Sequence, residues 1–192
     1  ISRGTKQGDP ISPMLFNALL EKQMSELQYN WMFKRYGIGV LSEGRRLTNL
    51  RFADDIILLA NSFADLRKMM NDLRTSMQNV GLNLHFGKTK ILSNVSDRRG
   101  IPKGMKVGDR IIEILKHDCG INYLGQYFCF KDRDAHAVQH RINKAWEAFH
   151  KHKNELCSRF YPLGKRMQLF GSVVTPVLLY GSECWVMTRR TE

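Results

Sequence analysis

At 192 residues and 43% hydrophobic, the chain can bury a sizeable core, and disorder is excluded as its default state. Thirty Lys and Arg against eighteen Asp and Glu give a formal net charge of +12, which points to a polyanionic partner, nucleic acid first, although charge alone does not separate this from a soluble basic surface. No stretch approaches the ~20 apolar residues of a membrane span and no signal peptide opens the sequence; Cys119, Cys129, Cys157 and Cys184 show neither a CxxC pair nor zinc-finger spacing, as expected of reduced intracellular thiols.

Residues Ile1 to Pro10 form a polar loop punctuated by Gly4, Gly8 and Pro10. The sequence opens inside this loop on Ile rather than Met, so a piece of a longer protein is expected. Ser12 and Pro13 read as the N-cap and first residue of a helix. Its apolar face is Phe16, Leu20, Met24, Leu27 and Trp31, and its end is expected near Lys34 to Gly37. Residues Gly39 to Leu41 and Leu47 to Phe52 suggest strands around the turn Ser42 to Arg45.

Next comes Arg51-Phe52-Ala53-Asp54-Asp55-Ile56-Ile57-Leu58-Leu59-Ala60, two adjacent carboxylates between an aromatic residue and a run of aliphatics. Asp is depleted in strands, so the pair is expected at the tip of a tight hairpin that enters a buried strand. Two unit charges ~4 Å apart repel by roughly 1 kcal/mol in water and about 4 kcal/mol near a protein surface, which invites a hard divalent cation.

A second helix starts at Ser62, with Asp65 as an acidic variant of the capping box and Phe63, Leu66, Met70, Leu73, Met77 and Val80 as its apolar face; Gly81 is its stop. Leu82, Leu84 and Phe86 alternate like a strand that turns at Gly87 into Lys88-Thr89-Lys90, with another strand through Leu92. Asn94 to Gly104 reads as a surface loop, and strands follow at Arg110 to Leu115 and Ile121 to Phe130. From Asp134 the chain turns helical, with Val138, Ile142, Trp146, Phe149 and Leu156 on the expected core face and basic residues elsewhere. Pro162 and Gly164 introduce a last helix that Pro176 breaks or kinks. The segment Lys131 to Arg166 is dense in Lys, Arg and His.

In order, Arg3-Gly4-Thr5-Lys6-Gln7-Gly8-Asp9-Pro10-Ile11-Ser12-Pro13, Phe52-Ala53-Asp54-Asp55, Gly81-Leu82-Asn83-Leu84 with Lys88-Thr89-Lys90, Tyr123-Leu124-Gly125 and the tail Leu178-Leu179-Tyr180-Gly181-Ser182-Glu183-Cys184-Trp185 resemble the reverse transcriptases of non-LTR retrotransposons over nearly the whole chain. The first two motifs are specific; the later ones alone are weak. The resemblance implies an α+β fold. Residues 1–132 would be a polymerase palm, an antiparallel sheet with packed helices that is incomplete at its N-terminal side, and residues 133–192 a mainly helical thumb or connection region.

It also implies roles. Asp54 and Asp55 would be catalytic carboxylates and ligands of two Mg²⁺ ions, or Mn²⁺, with Asp54 the principal one. Phe52 would pack on the primer end, and Ala53 would leave room beside the incoming nucleotide. Gly4, Lys6, Gln7 and Gly8, with Arg3, would lie against the template and nucleotide, and Lys88 would neutralise or protonate the leaving pyrophosphate. Tyr123, Leu124 and Gly125 would grip the primer. Arg141, Lys144, Lys151 and Lys153, with His140 and His150, would track the nucleic-acid backbone, while Trp146 and Phe149 read as core rather than as platforms for bases.

The partners implied are an RNA template, a DNA primer and deoxynucleoside triphosphates, in an intracellular and nuclear setting at the site of integration; neither membrane nor secretion is implied. Reverse transcriptases need a third carboxylate on a strand preceding the glycine-rich loop, so little or no polymerase activity is expected of these 192 residues alone. A group II intron maturase or telomerase matches the tail less well. A non-catalytic, polymerase-derived RNA-binding protein is disfavoured because two anions beside a polyanion bring it nothing.

Overall fold

In a computed structural model, which describes residues 8–39, 44–95, 102–116 and 118–186, the apolar stripes become helices and the alternating runs become three two-stranded antiparallel sheets, a mixed α/β fold. Contacts divide the chain into two compact units, Ile1–Thr89 with Pro102–Glu113, and Lys90–Ile101 with Ile114–Glu192.

The first unit is built on α1 (Ser12–Phe33) packed against α2 (Phe63–Asn79). Leu20, Met24, Leu27 and Trp31 of α1 meet Met69, Leu73 and Met77 of α2 in one buried cluster, joined by Tyr36. Each side chain removed from water contributes roughly 1.5–3 kcal/mol, so the interlocked stripes fix the pairing of the two helices. Polar ties add direction: the Trp31 indole donates to Asp72 at 3.0 Å and the Ser76 hydroxyl to Gln23 at 2.7 Å.

Local chemistry sets the helix ends. Ser62 caps α2 as expected, its hydroxyl accepting from the Asp65 amide at 3.0 Å; the Asp65 carboxylate in turn accepts from that hydroxyl at 2.8 Å, where the usual box has it accept from the cap residue's main-chain amide. Gly81, at φ +79°, closes the far end: its amide reaches the Gln78 carbonyl and the Leu82 amide the Met77 carbonyl, a Schellman closure that folds Leu82 onto the core. At α1 the expectation needs correction. Ser12 is the first helical residue rather than the cap; Ile11 holds the cap position without a side-chain bond, and Asp9 accepts from the Ile11 amide at 2.9 Å.

Strand β1 (Asn49–Phe52) pairs with β2 (Asp55–Leu58) through a two-residue turn, and Ile56 and Leu58 alternate inward onto the helical core. Strands β3 (Gly104–Val107) and β4 (Arg110–Glu113) form a second hairpin against α2. β3 carries little sequence signal because only four residues separate the breakers Pro102-Lys103 and Gly108-Asp109, yet Met105 and Val107 are buried in alternation. Residues 82–86 correct the expectation the other way. Leu82 and Leu84 do turn inward, but the segment makes no ladder and ends in a turn at 86–88; the strand expected through Leu92 is reduced to a bridge between Ile91 and Ile114. The strand expected over Gly39 to Leu41 falls largely on residues outside the described ones.

In the second unit, β5 (Gly120–Tyr123) and β6 (Gln126–Cys129) form a hairpin whose second strand packs on α3 (Arg133–Lys151). Short α4 (Lys153–Leu156), α5 (Leu163–Val173) and α6 (Thr175–Leu179) follow, with Pro176 inside the first turn of α6, where its missing amide costs nothing. By contacts, the hairpin groups with the helices that follow it, because β6 packs on α3. Among the described residues, no helix is long and apolar enough to cross a membrane.

The buried face of α3 also differs from the expected one. Ala137, Arg141 and Ala145 point inward and Phe149 is partly buried, whereas Trp146 is 55% exposed. Side-chain size misleads here. Small alanines let β6 and α6 approach the helix closely, and Trp146 is left outside, stacked on His150 with ring centroids 5.8 Å apart.

Candidate functional site

The turn between β1 and β2 consists of Ala53 and Asp54, and Asp55 opens β2 opposite Phe52. A two-residue hairpin needs a primed turn, with positive φ at its first position. Ala53 supplies it at φ +51°, a region that costs an L residue roughly 1–2 kcal/mol. Phe52, Ala53, Asp54 and Asp55 all lie open to solvent, Phe52 at 63% exposure. The expected tip is thus present, with both carboxylates adjacent and accessible.

Its electrostatics stand out against the β3–β4 turn. There the Asp109 carboxylate lies 3.3 Å from Arg74 and 3.9 Å from Arg110, and the Gly108 amide donates to Asn71 at 3.1 Å. Among the described residues, neither Asp54 nor Asp55 has an ion-pair or hydrogen-bond partner for its carboxylate. Two hard, anionic oxygen donors without a protein cation fit the chemistry of a Mg²⁺ or Mn²⁺ site. Among the described residues no cluster of three or more potential metal-ligating His, Cys, Asp or Glu forms, so these two carboxylates are the donors the chain presents here.

Beside the turn, a groove is lined by Asn17, Leu20 and Glu21 of α1 and by Leu50, Arg51 and Ala53. Arg51 meets Glu21 at 2.8 Å. The Ser25 hydroxyl and then Arg51 hold the Glu21 carboxyl below its usual range. The pairing engages the Arg51 charge with α1. Sequence reasoning missed it, since two residues thirty positions apart carry no local signal.

The other expected residues of this unit are partly on view. Gly8 is exposed at φ +88° ahead of α1, while Arg3, Gly4, Lys6 and Gln7 lie outside the described residues. Lys88 is exposed in the 86–88 turn, its amide donating to the His85 carbonyl at 3.0 Å.

In the second unit, Tyr123, Leu124 and Gly125 form the end of the β5–β6 hairpin. Leu124 at φ +48° and Gly125 at φ +77° make a primed turn. Tyr180, after α6, reaches this turn: its hydroxyl donates to the Leu124 carbonyl at 2.8 Å, and the Gln126 amide group donates to the Tyr180 carbonyl at 2.7 Å. The Arg141 guanidinium stacks over the Tyr180 ring at 4.5 Å.

Arg141 departs from the solvated basic face expected of this helix. It is 6% exposed, with Nε and Nη2 enclosed and without hydrogen-bond partners among the described residues. Lys144 pairs with Glu147 at 2.8 Å and remains 45% exposed; Lys151 and Lys153 are open. His140 stacks on Tyr127, and partial burial, then Arg141 and Lys144, lower its pKa. None of the four cysteines is in a disulfide, and the Cys129 thiol donates to the Lys131 carbonyl at 2.9 Å.

Comparison with known proteins adds descent. Residues 1–128 match the family described as Reverse transcriptase (RNA-dependent DNA polymerase). A Caenorhabditis elegans protein named as transposon-derived is 36% identical over 151 residues, 76% of this chain and 51% of that protein. Retrovirus-related Pol polyproteins from type-1 retrotransposable element R2 are also similar: that of Nasonia vitripennis is 30% identical over 65% of this chain, and that of Popillia japonica 28% identical over 100% of it. The chain spans about half the length of the first relative and 12% and 26% of the two polyproteins.

Proposed function

The chain belongs to the reverse transcriptase family, and we propose that it is the palm and thumb part of an RNA-directed DNA polymerase of an R2-like, non-LTR retrotransposon. The parent protein extends a DNA primer on an RNA template with deoxynucleoside triphosphates. Residues 1–132 serve as palm and 133–192 as thumb, and the setting is the nucleus, at the site of integration. The observation that carries the reading is the pair Asp54 and Asp55 on a strained, exposed turn, without an ion-pair partner among the described residues, whereas the acidic tip at Asp109 lies against arginine.

Asp54 and Asp55 would hold the divalent ions, Asp54 as principal ligand. When bound, the ions supply charge stabilisation to the transferring phosphate and activate the primer 3′-hydroxyl. Ala53 keeps the space beside the carboxylates free of side chain, and exposed Phe52 offers a ring to the primer end. Gly4, Lys6, Gln7 and Gly8 lie along the template and nucleotide, and Lys88 serves the leaving pyrophosphate. Tyr123, Leu124 and Gly125 contact the primer, with Lys144, Lys151 and Lys153 on backbone phosphates. The third carboxylate of this chemistry is supplied from outside these residues, so the chain acts together with the segment that carries it.

Primer extension on an RNA template, in protein that carries that segment, tests the reading. Asp54→Asn and Asp55→Asn are each expected to abolish incorporation while RNA–DNA binding persists. Undiminished incorporation by either variant overturns the catalytic assignment. Loss of binding by both, with the fold intact, would favour a role in RNA binding instead.

A further inference from the structure

The tail Leu178 to Trp185 has so far no task, although its residues stand out in the sequence. Its central pair, Tyr180-Gly181, meets the β5–β6 turn from 56 positions away. Tyr180 engages the turn at both ends: the hydroxyl binds the Leu124 carbonyl at 2.8 Å, and the main-chain carbonyl accepts from Gln126 at 2.7 Å. Leu124, at φ +48°, is the turn residue whose conformation is least favourable for an L side chain, so the hydroxyl holds the point under strain.

Two glycines make the approach possible. A Cβ on Gly125 would come within 3.3 Å of the Tyr180 ring and 3.4 Å of Arg141, and a Cβ on Gly181, at φ +74°, would run into the Gln126 side chain. Arg141 backs the ring from α3 at 4.5 Å, and among the described residues its enclosed Nε and Nη2 find no hydrogen-bond partner.

We propose that Tyr180 and Gly181, backed by Arg141, are positioning residues that clamp the Leu124–Gly125 turn in its primed conformation. The tail thereby sets the shape of the primer-contacting hairpin. Its bearing on the primer rests on the function proposed above; the clamp itself rests on the hydrogen bonds and glycine contacts.

Two variants test it on one protein: Tyr180→Phe, which keeps the ring over Arg141 and deletes the hydroxyl, and Gln126→Leu, which deletes the second bond. Amide hydrogen exchange at residues 124–126 and affinity for a defined RNA–DNA duplex are read side by side. Each variant is expected to speed exchange about five-fold, the worth of one exposed hydrogen bond. Duplex binding should weaken by a similar factor, with exchange elsewhere in the unit unchanged. Unaltered exchange at 124–126 in both variants overturns the clamp, as does acceleration spread evenly over the unit. Faster exchange confined to the turn, with duplex affinity intact, upholds the clamp and refutes the hairpin's contact with the primer.

Discussion

The β1–β2 and β5–β6 hairpins share one plan: four-residue strands, a two-residue turn and a non-glycine residue at positive φ in its first position. They differ in what surrounds the turn. Leu124-Gly125 is tied down by a tyrosine from a distant segment and backed by an arginine, while the exposed carboxylates of Asp54 and its neighbour Asp55 have no ion-pair or hydrogen-bond partner among the described residues. One turn is held by other segments, and the other presents its charges to solvent. Between them stands Gly108-Asp109, acidic like the first and held like the second. The two acidic tips thus differ in whether a described arginine lies against the carboxylate, and that difference is what the proposed metal site rests on.

The largest expected effect breaks that contrast at its centre. Asp54→Asn should lower nucleotide incorporation by on the order of 10²–10³-fold, the scale for removing one preorganised charge-stabilising group. Asp109→Asn should leave it unaltered and cost less than about 1 kcal/mol in denaturant unfolding, as for an exposed ion pair. Equal losses from both would erase the distinction between the tips.

Next in size is the salt response of duplex binding. Replacing Lys151 and Lys153 by Gln should flatten the slope of log K against log salt by about one for each phosphate that is no longer neutralised. Arg141→Gln, at a buried position, should not change the slope. A slope that moves only with Arg141 would reverse the assignment.

The turns should answer glycine exchange with opposite signs. Ala53→Gly relieves positive φ and is expected to stabilise by about 0.5–1 kcal/mol. Gly125→Ala adds a methyl against Tyr180 and should destabilise by roughly 1–2 kcal/mol. Denaturant midpoints at constant m report both; a shared sign would mean that the two turns are not built alike.

The smallest effect is a pH dependence. Burial and the neighbouring cations lower the His140 pKa, with Glu147 opposing. On acidification the unfolded chain takes up its proton near the ordinary 6.5, before the native state does. The stability contributed by neutral His140 is therefore complete above that pH and is lost as pH falls through the lower native value. His140→Asn should remove this part of the stability profile and leave the rest.

Local and periodic features were legible because they need only neighbouring residues. The Ser62 cap, the Gly81 stop, the Leu20-to-Trp31 stripe and the Asp-bearing tip all follow from chemistry within a few positions. Met69 is fully buried yet lies off the expected stripe, because the three-and-four spacing passes through its neighbour Met70. What could not be read depends on distant partners. The Arg51–Glu21 pair joins a strand to a distant helix, the alanine face of α3 is hidden behind its larger residues, and the tail gives no sign of the hairpin it meets.

That last contact has a temporal side. Residues 120–129 can pair as soon as they leave the ribosome, since a short hairpin closes locally in microseconds. Tyr180 follows 56 positions after Leu124, and closing so long a loop carries an entropic toll that grows only with the logarithm of its length. The hairpin therefore acquires its fixed shape after α3 to α6 have been made and packed. Any chain cut short before Tyr180 would carry the strands of that hairpin without its lock.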